Sequence, residues 1–117
     1  MSCQFELEHI GINTDNQSEA LELANTLSEI FNLHPRHGQK SEFAGKYFEC
    51  MKSPYLGRNG HIAMRTSNLE EAVIELKEKG IKFKTDTAAY DDHEKLKNIY
   101  IDQEFGGFAI HILQSNN

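Results

Sequence analysis

Four side chains able to bind a metal ion recur at regular spacing in this chain. His9 lies in the alternating run Glu8-His9-Ile10-Gly11-Ile12-Asn13-Thr14, and His61 lies in Gly60-His61-Ile62-Ala63-Met64-Arg65-Thr66. The two histidines are 52 residues apart, and Thr14/Thr66, Asn16/Asn68 and Glu19/Glu71 keep the same offset. A constant offset that crosses a strand-like run and enters a helix start marks an internal duplication. Gly45-Lys46-Tyr47-Phe48-Glu49-Cys50 matches Gly107-Phe108-Ala109-Ile110-His111-Ile112 at an offset of 62, which sets Glu49 against His111. Each copy therefore supplies one candidate from its first strand and one from its last: His9 and Glu49, then His61 and His111. Alone, a strand histidine is ordinarily a packing or surface residue, and a strand glutamate ordinarily faces water. As a set, three imidazoles and one carboxylate suit a divalent Zn, Ni, Fe, Mn or Co ion and leave room for water or substrate. Gly11 and Ala63 share faces with His9 and His61, which keeps space beside such an ion.

Positioning the set requires rigid strands. Residues 4–14 alternate, with Leu7, His9, Gly11 and Asn13 on one face and Ile10 and Ile12 on the other. Asn16 with Glu19 forms a capping-box signature, and the apolar spacing from Leu21 to Phe31 predicts a helix over 17–31. Short strands are expected near 33–37, 40–44 and 46–52. Turn residues over 53–60 connect to the second copy, which predicts a strand over 60–66 and a helix over 69–79, capped by Asn68 and stopped by Gly80. Ile81–Thr85, Asn98–Asp102 and Phe108–Gln114 read as strands. A polar loop over 86–95 absorbs the change of offset from 52 to 62. The fold class is α+β: one domain over 1–117, with βαβββ modules at about 4–52 and 60–114 around a shared cleft. Ile10, Ile12, Ile62 and Met64 are expected to pack beneath the helices.

Other residues add less. Arg65 alternates onto the His61 face, where it would meet an anionic substrate or simply extend to water. Tyr47 should share a face with Glu49, and Tyr100 should face the same cavity, either orienting a substrate or lining the wall. His34, His37 and His93 read as exposed loop residues. Cys3 and Cys50 have no CxxC spacing and read as reduced bystanders. No phosphate loop, dinucleotide fingerprint or nucleophile elbow occurs.

Composition excludes several partner classes. With 12 basic and 18 acidic residues the formal net charge is −6, and no basic stripe offers a footprint for nucleic acid or an anionic membrane. No apolar run reaches membrane-span length, and the first residues lack a basic region followed by an apolar one, so the expected location is the cytoplasm.

The paired βαβββ pattern, with candidate ligands on first and last strands, resembles the vicinal oxygen chelate superfamily. That superfamily includes glyoxalase I, extradiol dioxygenases, methylmalonyl-CoA epimerase and bleomycin-binding proteins. The resemblance spans almost the whole chain and puts His9, Glu49, His61 and His111 on the four ligand positions. Glutamate is usual at the last of these, so His111 departs from the pattern. Residues 51–63 and 105–111 look closest to small members appended to 2-keto-3-deoxy-phosphogluconate-type aldolases. The resemblance implies a homodimer, a functional link to a keto-acid aldolase, and lyase, isomerase or epimerase chemistry on a small 2-oxo acid or hydroxycarbonyl substrate. Glu49, the one carboxylate of the set, is then the expected base. Fe(II) dioxygenase chemistry and non-catalytic binding of the bleomycin-resistance type are the alternatives.

Overall fold

A computed structural model describes residues 2–116. The first module comprises β1 (Glu6–Asn13), α1 (Gln17–Phe31), β2 (Pro35–His37), β3 (Ser41–Ala44) and β4 (Phe48–Met51). The second repeats the order with β5 (Gly60–Thr66), α2 (Leu69–Glu78), β6 (Phe83–Tyr90), β7 (Leu96–Phe105) and β8 (Phe108–Gln114). All strands join one sheet in the order β2-β3-β4-β1-β5-β8-β7-β6. In each module the first strand runs parallel to the last, across the helical crossover. The two modules meet where β1 and β5 pair antiparallel, so the shared seam forms within one chain.

Local chemistry accounts for both helices. Asn16 Oδ1 accepts from the Glu19 amide at 2.9 Å, and Asn68 Oδ1 accepts from the Glu71 amide at 3.2 Å, each satisfying an orphan donor of the first turn. Asn32 ends α1 in the left-handed region at φ 55°, a conformation that asparagine tolerates. Gly80, at φ 91°, lets the chain turn after α2, and the Ile81 amide then reaches the Leu76 carbonyl at 3.0 Å. Ala20 and Ala24 of α1 form one core with Ala44 and Cys50; Leu69 and Val73 of α2 form the other with Phe83, Leu96, Ile99 and Ile112. Fully burying a leucine such as Leu69 contributes about 2 kcal/mol. These residues alternate with the candidate ligands along β4 and β8, so the helices and the ligands take opposite faces of the sheet.

Four expectations change. The register of β1 on β5 slips between Leu7 and His9, so Leu7 pairs with Met64 while His9 pairs with Ala63. Leu7 thus leaves the His9 face. The polar stretch from 86 is strand as far as Tyr90, and only 91–95 forms the hairpin turn. Thr87 makes this tolerable: its hydroxyl accepts from the Tyr100 amide at 3.0 Å and donates to the Lys84 carbonyl at 2.6 Å, bridging the irregular register. Tyr47 falls in the turn before β4 rather than in the strand. Finally, Ile10, Ile12, Ile62 and Met64 are only half-buried and belong to neither core: α1 packs mainly on β3 and β4, and α2 spreads over β5, β7 and β8.

Candidate metal centre

The sheet register arranges the four candidates in two rows. Across β4, β1 and β5 runs Glu49–Gly11–His61; across β1, β5 and β8 runs His9–Ala63–His111. Residues directly opposite in a sheet share a face. Each row therefore sets two ligand-capable side chains on either side of a small one, and the modules' antiparallel seam relates one row to the other. Gly11 is required by closeness: a Cβ there would overlap the His61 imidazole.

The tips converge. His9 Nε2 lies 3.2 Å from His61 Nε2, and Glu49 Oε1 lies 3.2 Å from the first and 3.1 Å from the second. Ligand atoms of His9, His61 and His111 all fall within 4.8 Å of one another. Two neutral imidazoles and a carboxylate cannot satisfy all three short contacts as hydrogen bonds, since each ring carries a single proton. For metal bonds near 2.05 Å, donor atoms of a tetrahedral site stand ~3.3 Å apart. The observed triangle matches that spacing. His111 Nε2 is buried and has no hydrogen-bond partner among the described residues, a lone pair left for a ligand. The residues thus fit a divalent ion.

Neighbouring side chains hold the set. Ser41 donates to Glu49 Oε2 at 2.7 Å, and Asn98 Oδ1 lies 2.6 Å from His111 Nδ1. Tyr100 stacks on the His111 ring at 4.5 Å and 13°. Burial alone would raise the Glu49 pKa, but hydrogen bonds from His61, His9 and Ser41 and the charge of His9 override it and hold the carboxyl far below its ordinary range. His111 is pushed down to about 3, first by burial and then by repulsion from His61 and His9, against the attraction of Glu49.

Both shifts have the same sign for stability. A group whose folded pKa lies below its unfolded value stabilises above the unfolded pKa, and that contribution fades as pH falls through the folded one. For His111 the window runs from the ordinary 6.5 down to about 3, and Glu49 joins below its ordinary 4.5. Urea titrations of the metal-free protein should show stability falling from pH 6.5 downward. A His111→Gln variant should show a flatter profile between 6.5 and 4.5; parallel profiles would contradict the assignment.

The other expected contacts separate. Tyr100 is buried beside the cluster. Arg65 is committed elsewhere: its guanidinium donates to the Leu7 carbonyl at 2.9 Å and Glu8 at 3.1 Å, and Glu6 lies 3.6 Å away. It borders a cavity of about 520 Å³ that also includes Asn98 and Lys97. Tyr47 is exposed and takes the Lys46 ammonium over its ring. His37 is exposed as expected, but it lies on β2 rather than in a loop and contacts the buried Glu42, whose other oxygen lies 3.2 Å from Lys52 Nζ. Ser41 and Asn98 were not foreseen. Their signal was a third offset: Ser41/Asn98 and Phe43/Tyr100 are each 57 residues apart, with Phe43 opposite Glu49 and Tyr100 opposite His111.

No family profile and no curated protein matches the chain. Solved structures do. A hypothetical protein from Bacillus halodurans aligns with 17% identity and a TM-score of 0.63 over 97% of this chain and 96% of its own. Streptomyces coelicolor methylmalonyl-CoA epimerase, in complex with 2-nitronate-propionyl-CoA, aligns with 14% identity and a TM-score of 0.57 over 95% and 97%. The Mycobacterium tuberculosis epimerase gives 17% and 0.54 over 95% and 88%. Among the described residues no helix is long and apolar enough to cross a membrane. The chain has the glyoxalase-like fold of the vicinal oxygen chelate proteins.

Proposed function

We propose that this chain is a metal-dependent enzyme that moves a proton between neighbouring carbons of a small 2-oxo acid or hydroxycarbonyl substrate, as an isomerase, epimerase or lyase. The observation that carries the reading is the pair of rows, which bring His9 Nε2, His61 Nε2 and Glu49 Oε1 within 3.2 Å of one another beside His111 Nε2, which has no hydrogen-bond partner among the described residues. His9, Glu49, His61 and His111 would hold the ion. Bound there, it would supply Lewis acidity toward the substrate.

The rest falls to the chain. Glu49 is the base: Ser41 anchors Oε2, which leaves Oε1 to take a proton once it is released from His9 and His61. A cavity of about 480 Å³ is lined by Met51, Lys52 and Tyr55 and by none of the four ligands; Met51 touches Ser41, and Tyr55 packs edge-on against Tyr100, so two of its walls contact residues that support the cluster. Its volume suits a small ligand. Tyr100 is the substrate contact retained; Arg65 would serve only a substrate that displaces Glu8, and Tyr47 only one that reaches the turn before β4. The epimerase neighbours support proton-transfer chemistry on this fold. A homodimer and a link to a keto-acid aldolase belong to the proposal on the strength of the sequence resemblance, although all four ligands come from one chain.

Metal analysis tests the reading. The protein refolded with excess Zn, Ni, Fe(II), Mn or Co should retain about one ion per chain, His9→Ala and His61→Ala should lose it, and small 2-oxo acids should raise the melting temperature of the loaded form. Unaltered metal content in both variants would overturn the site. Ligand binding without metal would instead mark a binding protein of the bleomycin-resistance type. A second reading draws on the His9–His61–Glu49 triangle, two histidines and a carboxylate with open positions, which suits Fe(II) oxygen chemistry. Oxygen uptake that depends on Fe(II) would favour it.

A further inference from the structure

We infer that Asn98 is a positioning residue that fixes the ring of His111, and that Ser41 and Asn98 form a duplicated pair of supports, each selecting the type of ligand on its module's last strand. This rests on the metal-binding reading above. The two supports are related by the 57-residue offset, and each reaches the candidate ligand of its own module: Ser41 to Glu49 Oε2 at 2.7 Å, Asn98 to His111 Nδ1 at 2.6 Å.

Their chemistry is opposite. Beside an ionised carboxylate, which can only accept, the Ser41 hydroxyl donates. The Asn98 carbonyl oxygen can only accept, so His111 must carry its proton on Nδ1. That choice leaves a lone pair on Nε2, a buried atom without a partner among the described residues. The other tautomer would put a proton there, creating a buried donor with no acceptor, which folded proteins avoid. Tyr100, stacked on the ring, sets its plane, while Asn98 sets its rotation and tautomer. A donor support thus accompanies the carboxylate of module one, and an acceptor support accompanies the histidine of module two. The departure at His111 from the usual glutamate has its partner in Asn98.

The test reads the tautomer directly. In metal-free protein labelled with ¹⁵N-histidine, long-range proton–nitrogen spectra should show His111 protonated at Nδ1 with Nε2 bare. Asn98→Asp, which keeps an acceptor, should preserve this state. Asn98→Leu should lose it and bind Zn²⁺ about 10- to 100-fold more weakly, with the Asp variant restoring affinity. A wild-type His111 protonated at Nε2 overturns the inference, as does an Asn98→Leu variant with wild-type tautomer and affinity. Should the leucine variant not fold, the wild-type spectrum decides alone. Because that spectrum is taken without metal, a bare Nε2 in a protein that binds no Zn²⁺ would sink the metal reading and leave the role of Asn98 standing.

Discussion

Glu49→Gln is expected to abolish proton transfer while the protein stays folded and keeps its metal. Glutamine has the shape of glutamate, and its amide can still face Ser41, which holds Oε2 at 2.7 Å in the native site. Three imidazoles remain to bind an ion, so metal content should survive with weakened affinity. The amide cannot take a proton from carbon, and loss of a positioned general base typically removes a factor of about 10² to 10⁴ in rate. The measurement needs no known product: deuterium exchange from heavy water into a 2-oxo acid that the wild type accepts, followed by NMR. The variant should exchange at the background rate. If it exchanges like wild type with metal bound, Glu49 is a ligand only and the base lies elsewhere.

The depressed pKa of Glu49 sharpens this test. In the metal-free chain the carboxylate accepts from His9, His61 and Ser41, which keeps it ionised and makes it a weak base. Basicity returns only when the two imidazoles stop donating N–H to it, and ligation through the same Nε2 atoms requires them bare, so ligation and base strength are coupled through the same three atoms.

Much of this was legible in the sequence because duplication repeats side-chain chemistry. The 52-residue offset located both first strands and both helix caps, and the bounds of α1, β5 and β8 agree with the periodicity. The second offset pairs Glu49 with His111. What the pattern hid were features decided between strands. The slip near Glu8 that removes Leu7 from the His9 face leaves no mark on alternation, because a bulge changes pairing rather than residue type. Asp86 and Thr87 read as loop because they are polar, yet Thr87 replaces a ladder bond with its hydroxyl. Arg65 was placed on the right face, but its partners Glu6 and Glu8 approach from the neighbouring strand. Ser41 and Asn98 are hard to see for another reason: they differ in type, so the 57-residue offset that relates them acquires meaning only from the register.

Gly11→Ala should separate the site from the fold. Gly11 faces His61 across the central seam, between it and Glu49, and a Cβ would occupy the space of the imidazole. His61 is 4% exposed, so its ring cannot swing into water without opening the seam; it must rotate within the face and leave the triangle with His9 and Glu49. The backbone does not object. Gly11 is not among the described glycines with positive φ, and alanine at an ordinary strand position reduces the freedom of the unfolded chain, a gain of roughly 0.4–1 kcal/mol that offsets the repacking. Stability of the metal-free variant should therefore stay within ~1 kcal/mol of wild type, while metal affinity falls ~100-fold or more, beyond the usual effect of a lost supporting contact. Ala63→Gly is the matched control, since Ala63 already carries a methyl between His9 and His111. That variant should lose about 1 kcal/mol of stability and keep its metal. Equal metal affinity in Gly11→Ala and wild type would mean that His61 is not a ligand, and the two rows would lose their meaning as a single site.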